Sequence, residues 1–72
     1  MREYIVEELK RMKNSPQWPQ RGAVARRGYF LDELKNDENW WVRRVVAEQR
    51  YALDELVNDP HPDVREAALN NL

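Results

Sequence analysis

The chain repeats itself with a period of 22 residues. Residues 24–45, VARRGYFLDELKNDENWWVRRV, align without a gap on residues 46–67, VAEQRYALDELVNDPHPDVREA. The identical letters are VA, Y, LDEL, ND and VR, which makes eleven matches in 22 positions. Self-similarity at such a short period is typical of proteins built from stacked units, in which each unit buries its apolar edge against its neighbours. The repeat therefore predicts a solenoid.

Each copy of the repeat predicts one long helix and one short helix. Val42, Val45 and Val46 have the i, i+3, i+4 spacing of a buried helical face, so long helices are expected over 40–49 and, in the next copy, 62–70. Short helices are expected over 30–35 and 52–57, where two leucines three residues apart form one apolar edge. Polar turns separate the helices.

The first 23 residues align more weakly with the repeat. Helices are predicted over 2–13 and 17–26, and Leu9 and Trp18 align with Leu31 and Trp40. We therefore predict a single domain over residues 1–72. It contains a degenerate first repeat at 2–23, full repeats at 24–45 and 46–67, and a partial repeat at 68–72. A more polar first unit suits the end of a solenoid, because its outer face meets water.

Three turn residues have predicted roles in starting or ending helices. Asn39 is expected to cap the N-terminus of the helix at 40–49, because its side chain can accept a hydrogen bond from a free backbone N–H. His61 stands at the equivalent position of the next copy and is expected to do the same on the surface. Gly28 is expected to be left-handed and to end the preceding helix.

The inventory of reactive residues argues against catalysis and against bound cofactors. The chain has no cysteine, which excludes disulfides, thiolate metal sites and iron–sulfur ligation. His61 is the only histidine and has no further ligands at metal-binding spacing. Ser15 is the only serine, threonine is absent, and no glycine-rich phosphate loop occurs. We expect no enzymatic activity, no cofactor and no metal site.

The charge and the apolar runs indicate a cytoplasmic protein that has no membrane segment. The formal net charge is −1, which argues against general nucleic-acid binding. The charged N-terminal stretch lacks the apolar centre of a signal peptide, and no apolar run approaches the length of a membrane span.

A longer pattern carries a family resemblance. Residues 53–67 read L-x-x-L-x-x-D-P-x-P-x-V-R-x-A, and residues 31–43 repeat much of it. The pattern resembles the leucine-rich repeat variant and HEAT-like families. The resemblance implies an all-α fold, a short α-solenoid of about three stacked long-helix/short-helix repeats that winds as a right-handed superhelix. The period is shorter than is usual in the variant family, and its cysteine-rich iron–sulfur segment is absent, so no redox chemistry is implied.

Two aspartates and two arginines recur at equivalent positions. Asp37 and Arg43 in one copy become Asp59 and Arg65 in the next, with each arginine six residues after its aspartate. The HEAT-like resemblance implies a structural ladder, in which an aspartate at one turn bonds an arginine of its own or of the neighbouring unit. The alternative is that the row formed by Arg43, Arg65 and the equivalent Arg21 faces a ligand.

Candidate partner-binding residues lie where the two copies differ, because such positions are free of the stacking role. They are Arg26, Arg27, Trp40, Trp41, Arg44 and Arg50. Adjacent helix positions point about 100° apart, so we expect one of the two neighbouring tryptophans to pack between repeats and the other to be partly exposed. The alternative for the arginines is a solvated helix face with an ordinary Arg44–Glu48 pair.

These observations predict a non-catalytic scaffold that binds a protein or peptide. Self-association, or membership of a longer repeat array, stays open. The alternative function is nucleic-acid binding through an arginine-bearing face. It requires that the following arginines converge on one face free of carboxylates: Arg21, Arg26, Arg27, Arg44 and Arg50.

Overall fold

The computed structural model describes residues 2–72, and their side chains from residue 5 onward. These residues form six helices and no strand. The helices are α1 (Arg2–Lys13), α2 (Trp18–Arg26), α3 (Leu31–Leu34), α4 (Trp40–Glu48), α5 (Leu53–Leu56) and α6 (Pro62–Asn70). The all-α prediction is confirmed. The predicted domain also includes Met1, which lies outside the described residues.

The helices pair into three successive units, α1–α2, α3–α4 and α5–α6. The long helices α2, α4 and α6 pack side by side in that order, and each first helix packs against the long helix of its own unit. The stack is elongated, with principal extents of 37 × 22 × 14 Å. This arrangement is the predicted α-solenoid. None of the helices within residues 2–72 is long and apolar enough to cross a membrane.

The core runs along the inner side of the long helices. Val42, Val45 and Val46 are at most 1% exposed, as their spacing predicts. Leu34 and Leu56 are buried at the ends of the short helices. The other core residues are Leu9, Val24, Ala25, Ala47, Val64, Ala67 and Ala68. Aliphatic burial of this kind stabilises by about 25 cal/mol per Å² of apolar surface removed from water.

The first unit departs from the predicted alignment in its burial. Leu9 is 2% exposed, whereas its equivalent Leu31 is only half-buried. Ile5 and Val6, which share the helical spacing of Leu9, are 50% and 39% exposed. The reason is that α1 has twelve residues where α3 has four, so only part of its apolar stripe meets α2.

The predicted N-caps are confirmed. The side chain of Asn39 accepts hydrogen bonds from the backbone N–H groups of Trp41 and Val42 at 2.8 and 3.4 Å. Nδ1 of His61 accepts from the backbone N–H of Asp63 at 3.1 Å. These three bonds satisfy donors that a helix leaves unpaired in its first turn.

Left-handed residues recur at two equivalent positions in the turns that follow α2 and α4. Gly28 has φ 82°, as predicted, and its equivalent Arg50 has φ 61°. Phe30 and Ala52 form a second equivalent pair, at φ 55° and 54°. A left-handed conformation costs a residue with a Cβ roughly 1–2 kcal/mol, so the turn is strained at three of these four positions.

The strain at Arg50 yields a stability prediction. Arg50→Gly is expected to raise the free energy of unfolding by about 0.5–1 kcal/mol, because glycine adopts positive φ without steric cost. Thermal denaturation followed by circular dichroism measures the change. Gly28→Ala is the matched control and should lower stability by a similar amount. A lower melting temperature for Arg50→Gly would show instead that the arginine side chain contributes to the fold.

Candidate protein-binding surface on the long helices

Arginine–aspartate pairs join successive units. Arg21 donates from Nε and Nη2 to the carboxylate of Asp37 at 2.7 and 3.1 Å, and Nη1 donates to the backbone carbonyl of Ser15 at 2.8 Å. Arg43 repeats the pattern with the carboxylate of Asp59, at 2.8 and 3.2 Å, and with the carbonyl of Asp37 at 2.7 Å. Each guanidinium therefore holds the turn of its own unit and the aspartate of the next one.

The predicted ladder residues are brought together across units. The carboxylate partner of Arg43 is Asp59, 16 residues later, while Asp37, six residues earlier, offers only its backbone carbonyl. Arg65 also donates to a backbone carbonyl, that of Asp59, at 2.8 Å. The side chains of Arg21 and Arg43 retain 11% and 15% exposure. Because these two are enclosed and paired, they do not form the ligand-facing row that was the alternative.

Burial strengthens the dependence of the structure on these charges. Asp59 is 7% exposed. Burial alone would raise the pKa of the Asp59 carboxyl, but hydrogen bonds from Arg43 and from the backbone N–H of His61 outweigh it and leave the pKa below its ordinary value. The hydrogen bond to Asp37 raises the pKa of Arg21 above its ordinary value. Both groups are therefore charged at neutral pH.

Removing one arginine tests the contribution of a pair to stability. Arg43→Ala is expected to lower the free energy of unfolding by about 2 kcal/mol, because Asp59 would be left buried without its partner. For a domain of this size the change corresponds to a fall of roughly 10 °C in melting temperature. Arg27→Ala, an exposed arginine of the same region, is the control and should have little effect. An unchanged melting temperature for Arg43→Ala would instead favour the alternative in which Arg43 faces a ligand.

The depressed pKa of Asp59 gives a pH dependence with a definite sign. The pKa of an aspartate carboxyl in the unfolded chain is about 3.9, and the pKa of Asp59 in the folded protein is lower. The pair therefore contributes its full stability above that pH and loses it as the pH falls through the folded pKa. Melting temperatures measured from pH 7 to pH 2 should fall steeply in the acid range. Asp59→Asn should start lower and fall less, whereas the exposed Asp54→Asn should follow the wild type.

Lysine–glutamate pairs form a second, more exposed link between units. Nζ of Lys13 lies 2.7 Å from the carboxylate of Glu33, and Nζ of Lys35 lies 2.8 Å from that of Glu55. The hydrogen bond to Glu55 raises the pKa of Lys35 above its ordinary value. Sequence reasoning did not identify these pairs. Recurrence of both residue types with the 22-residue period was the signal that could have found them.

Both neighbouring tryptophans pack against an adjacent unit, in contrast to the expectation that only one would. The Trp40 ring stacks on the imidazole of His61 in the α5–α6 turn of the following unit, with centroids 4.2 Å apart and planes 8° apart. Trp41 meets the ring of Trp18 in the preceding unit, edge to face, at 5.1 Å. Both are half-buried. Adjacent positions differ by about 100° around the helix, so the two indoles point to opposite neighbours.

Trp41 fills the groove between α2 and α4. Gly22 makes this possible, because a Cβ at that position would lie 2.1 Å from Cζ3 of Trp41. The Arg26 guanidinium lies 5.5 Å from the Trp41 ring centre, within cation–π range. Trp18, which remains 44% exposed, completes the surface. We call these four residues the aromatic shelf. Sequence reasoning missed Trp18 and Gly22, although Trp18, Gly22 and Arg26 follow the four-residue spacing of one helix face.

The equivalent groove between α4 and α6 is open. Asp63 replaces Trp41 here, while Arg44 and Glu48 replace Gly22 and Arg26. A polar cleft of about 220 Å³ results, and it is lined mainly by Arg44, Glu48, Asp63, Glu66 and Asn70. Arg44 pairs with Glu48 at 3.4 Å. We call this groove the acidic cleft, because its carboxylates outnumber its one arginine.

The remaining candidate residues lie elsewhere. Arg27 caps the C-terminus of α2 and Arg50 lies in the turn after α4, and both are exposed. Since Arg21 is paired with Asp37 and Arg44 with Glu48, the five arginines do not share one face free of carboxylates. This arrangement does not favour the nucleic-acid alternative. Within the described residues, no group of acidic or histidine side chains could hold a metal ion.

The shelf yields a prediction about Gly22. Alanine forms helix better than glycine by about 1 kcal/mol, yet Gly22→Ala should lower the melting temperature, because its Cβ must displace Trp41. Tryptophan emission should shift to longer wavelength as the ring moves into water. Gln20→Ala, at an exposed position of the same helix, should neither lower the melting temperature nor shift the emission. A stabilised Gly22→Ala with unchanged emission would contradict the packing described.

Comparison with known families supports the HEAT-like part of the resemblance. Residues 51–72 match the model of the HEAT repeat family. Together with the six stacked helices, this match makes the fold a HEAT-like helical-repeat solenoid. The match does not extend to the leucine-rich repeat variant family. No curated protein and no solved structure matches the chain significantly.

Proposed function

We propose that the protein is a non-catalytic scaffold that binds a protein or peptide partner across α2, α4 and α6. HEAT repeats are generally protein-interaction scaffolds, and residues 51–72 match that family. The observation that carries the proposal is the aromatic shelf, where Trp18 leaves 44% of its surface in water although it lies beside another indole and an arginine. Tryptophan and arginine are the residues most enriched at binding hot spots.

The construction of the shelf supports binding rather than stability alone. Trp41 rests on the α2 backbone at Gly22 and is enclosed between Trp18 and Arg26. An indole held on several sides presents a preorganised surface, so the side chains of the shelf would lose little entropy when a partner binds. The shelf suits an aliphatic, proline or aromatic side chain of the partner.

The neighbouring acidic cleft supports a second contact with the partner, and this contact is charged rather than apolar. It lies one unit further along the same row of helices and carries the carboxylates of Glu48, Asp63 and Glu66 against the single guanidinium of Arg44. A lysine or arginine side chain of the partner is the complementary occupant. A partner segment with an apolar anchor and a basic residue would therefore match both grooves.

The test compares two equally exposed aromatic residues. Immobilised wild type, Trp18→Ala and Tyr29→Ala are used to capture proteins from native lysate, and bound proteins are quantified by mass spectrometry. Tyr29 is 46% exposed but lies in the turn after α2, outside the shelf. Proteins should be retained by wild type and by Tyr29→Ala and lost with Trp18→Ala. Binding of a purified partner should weaken at least about tenfold with Trp18→Ala.

Two outcomes would count against the proposal. Partners retained equally by all three baits would move the binding surface away from the shelf. Retardation of single- or double-stranded nucleic acid in a gel-shift titration at low salt, abolished by Arg26→Ala and Arg27→Ala, would favour the alternative function instead. Circular dichroism of each variant checks that the fold is intact.

A further inference from the structure

The acidic cleft lies one helix spacing away from the aromatic shelf along the row of long helices. The two grooves are built at equivalent positions of the repeat, since Trp41 and Asp63 are 22 residues apart. Neighbouring long helices pack with their axes about 8–10 Å apart, so equivalent points of the two grooves are separated by about that distance. A partner segment that occupies both grooves must therefore carry its apolar and its charged side chain at this spacing and on one face.

Two carboxylates of the cleft have no cation. Arg44 pairs with Glu48 at 3.4 Å, whereas Asp63 and Glu66 form no ion pair with any described residue. Both side chains come from α6, three residues apart, and both line the cleft. A guanidinium can bind two carboxylate oxygens at once through parallel N–H groups. The charged contact of the partner is therefore best made by an arginine.

The shelf offers an indole N–H to a backbone carbonyl. No described residue accepts a hydrogen bond from Nε1 of Trp41, and this atom is not closed off from solvent. It lies in the ring that meets the exposed indole of Trp18. Aromatic grooves of this kind bind proline-rich segments in the polyproline II conformation, which has no internal hydrogen bonds and leaves its carbonyls free to accept.

The surface is less suited to a helix or a strand. A bound helix is held by several apolar anchors at i, i+3, i+4 and i+7. Within α2, α4 and α6 the only exposed large apolar side chains are Trp18 and Leu69, and Leu69 lines neither groove. Strand addition requires a sheet edge, and residues 2–72 contain no strand.

We propose that the partner segment is a polyproline II helix that carries a proline and an arginine three positions apart. This conformation has three residues per turn and rises about 3.1 Å per residue, so positions i and i+3 share one face and lie about 9 Å apart. The proline packs on the rings of Trp18 and Trp41, and the arginine enters the acidic cleft. This assignment rests on the proposed function, because it uses the same shelf.

The test measures whether spacing determines affinity. The probes are peptides too short to form a stable helix, each with one proline and one arginine among alanines and glutamines. One pair of peptides, which covers both chain orders, has the two residues at i and i+3; a second pair of the same composition has them at i and i+2. Titration followed by tryptophan emission should show at least about fivefold tighter binding for the better i, i+3 peptide than for either i, i+2 peptide.

Variants of the chain assign the two contacts separately. Trp18→Ala should abolish binding of the i, i+3 peptide. Replacing the peptide arginine by citrulline, which keeps its shape and removes its charge, should weaken binding to the wild type. Glu66→Gln should reduce that difference. Asp54→Asn removes an exposed carboxylate of the same unit outside the cleft, and it should leave the difference unchanged.

A helical probe separates failure of this inference from failure of the proposed function. It is a longer alanine-rich peptide with a leucine and an arginine seven positions apart, about 10 Å along one helix face. Tighter binding of this probe than of the i, i+3 peptides, lost with Trp18→Ala, overturns the polyproline II assignment and leaves the shelf as the binding surface. Equal binding of the i, i+3 and i, i+2 peptides, or binding of neither, also overturns it. If Trp18→Ala changes neither peptide binding nor partner capture, the proposed function fails as well. The comparisons between peptides use the wild-type chain, so they hold even where a variant does not fold.

Discussion

The stack depends on a bidentate arginine–aspartate pair that spans 16 residues. Its two N–H···O bonds fix the orientation of the guanidinium, and the third bond ties it to the turn of its own unit. A chain of this length buries only about 60% of its unfolded surface, and the core consists of aliphatic side chains without an aromatic ring among the described residues. Packing of small aliphatic side chains does not by itself fix the offset between neighbouring helices, because several offsets bury similar areas. The directional pairs select one offset.

Because the offset is fixed, each pair of neighbouring long helices forms an equivalent groove. The side chains that line a groove determine its chemistry. Between α2 and α4 the groove holds an indole resting on Gly22. Between α4 and α6 the equivalent residue is Asp63, and the groove stays open to water. The change from Trp41 to Asp63 leaves the scaffold residues of both units in place. A repeat scaffold thus separates the residues that hold the units together from those that differ between them, and the latter form the candidate binding surface.

This separation between scaffold residues and variable residues explains which features could be predicted from the sequence. The 22-residue period, the apolar spacing and the caps at Asn39 and His61 act within a few residues, so local reasoning finds the helices and most of the core. The partner of Arg43 was not decidable, because aspartates six residues before and 16 residues after it both fit a ladder. Only the packing of neighbouring units chooses Asp59. The exposure of Trp18 depends in the same way on where Trp41 lies, and that in turn depends on the absence of a side chain at Gly22.

Comparison of the three turns shows that the repeated aspartate has two separable roles. The carboxylate of Asp37 accepts a hydrogen bond from the backbone N–H of Asn39 at 2.9 Å and another from Arg21. It therefore stabilises its own turn and also pairs with the arginine of the preceding unit. Ser15 keeps only the first role: Oγ accepts from the N–H two residues on, and its carbonyl still accepts from Arg21. A hydroxyl is therefore sufficient to stabilise that turn. The charge of the aspartate is therefore required by the neighbour and not by the turn.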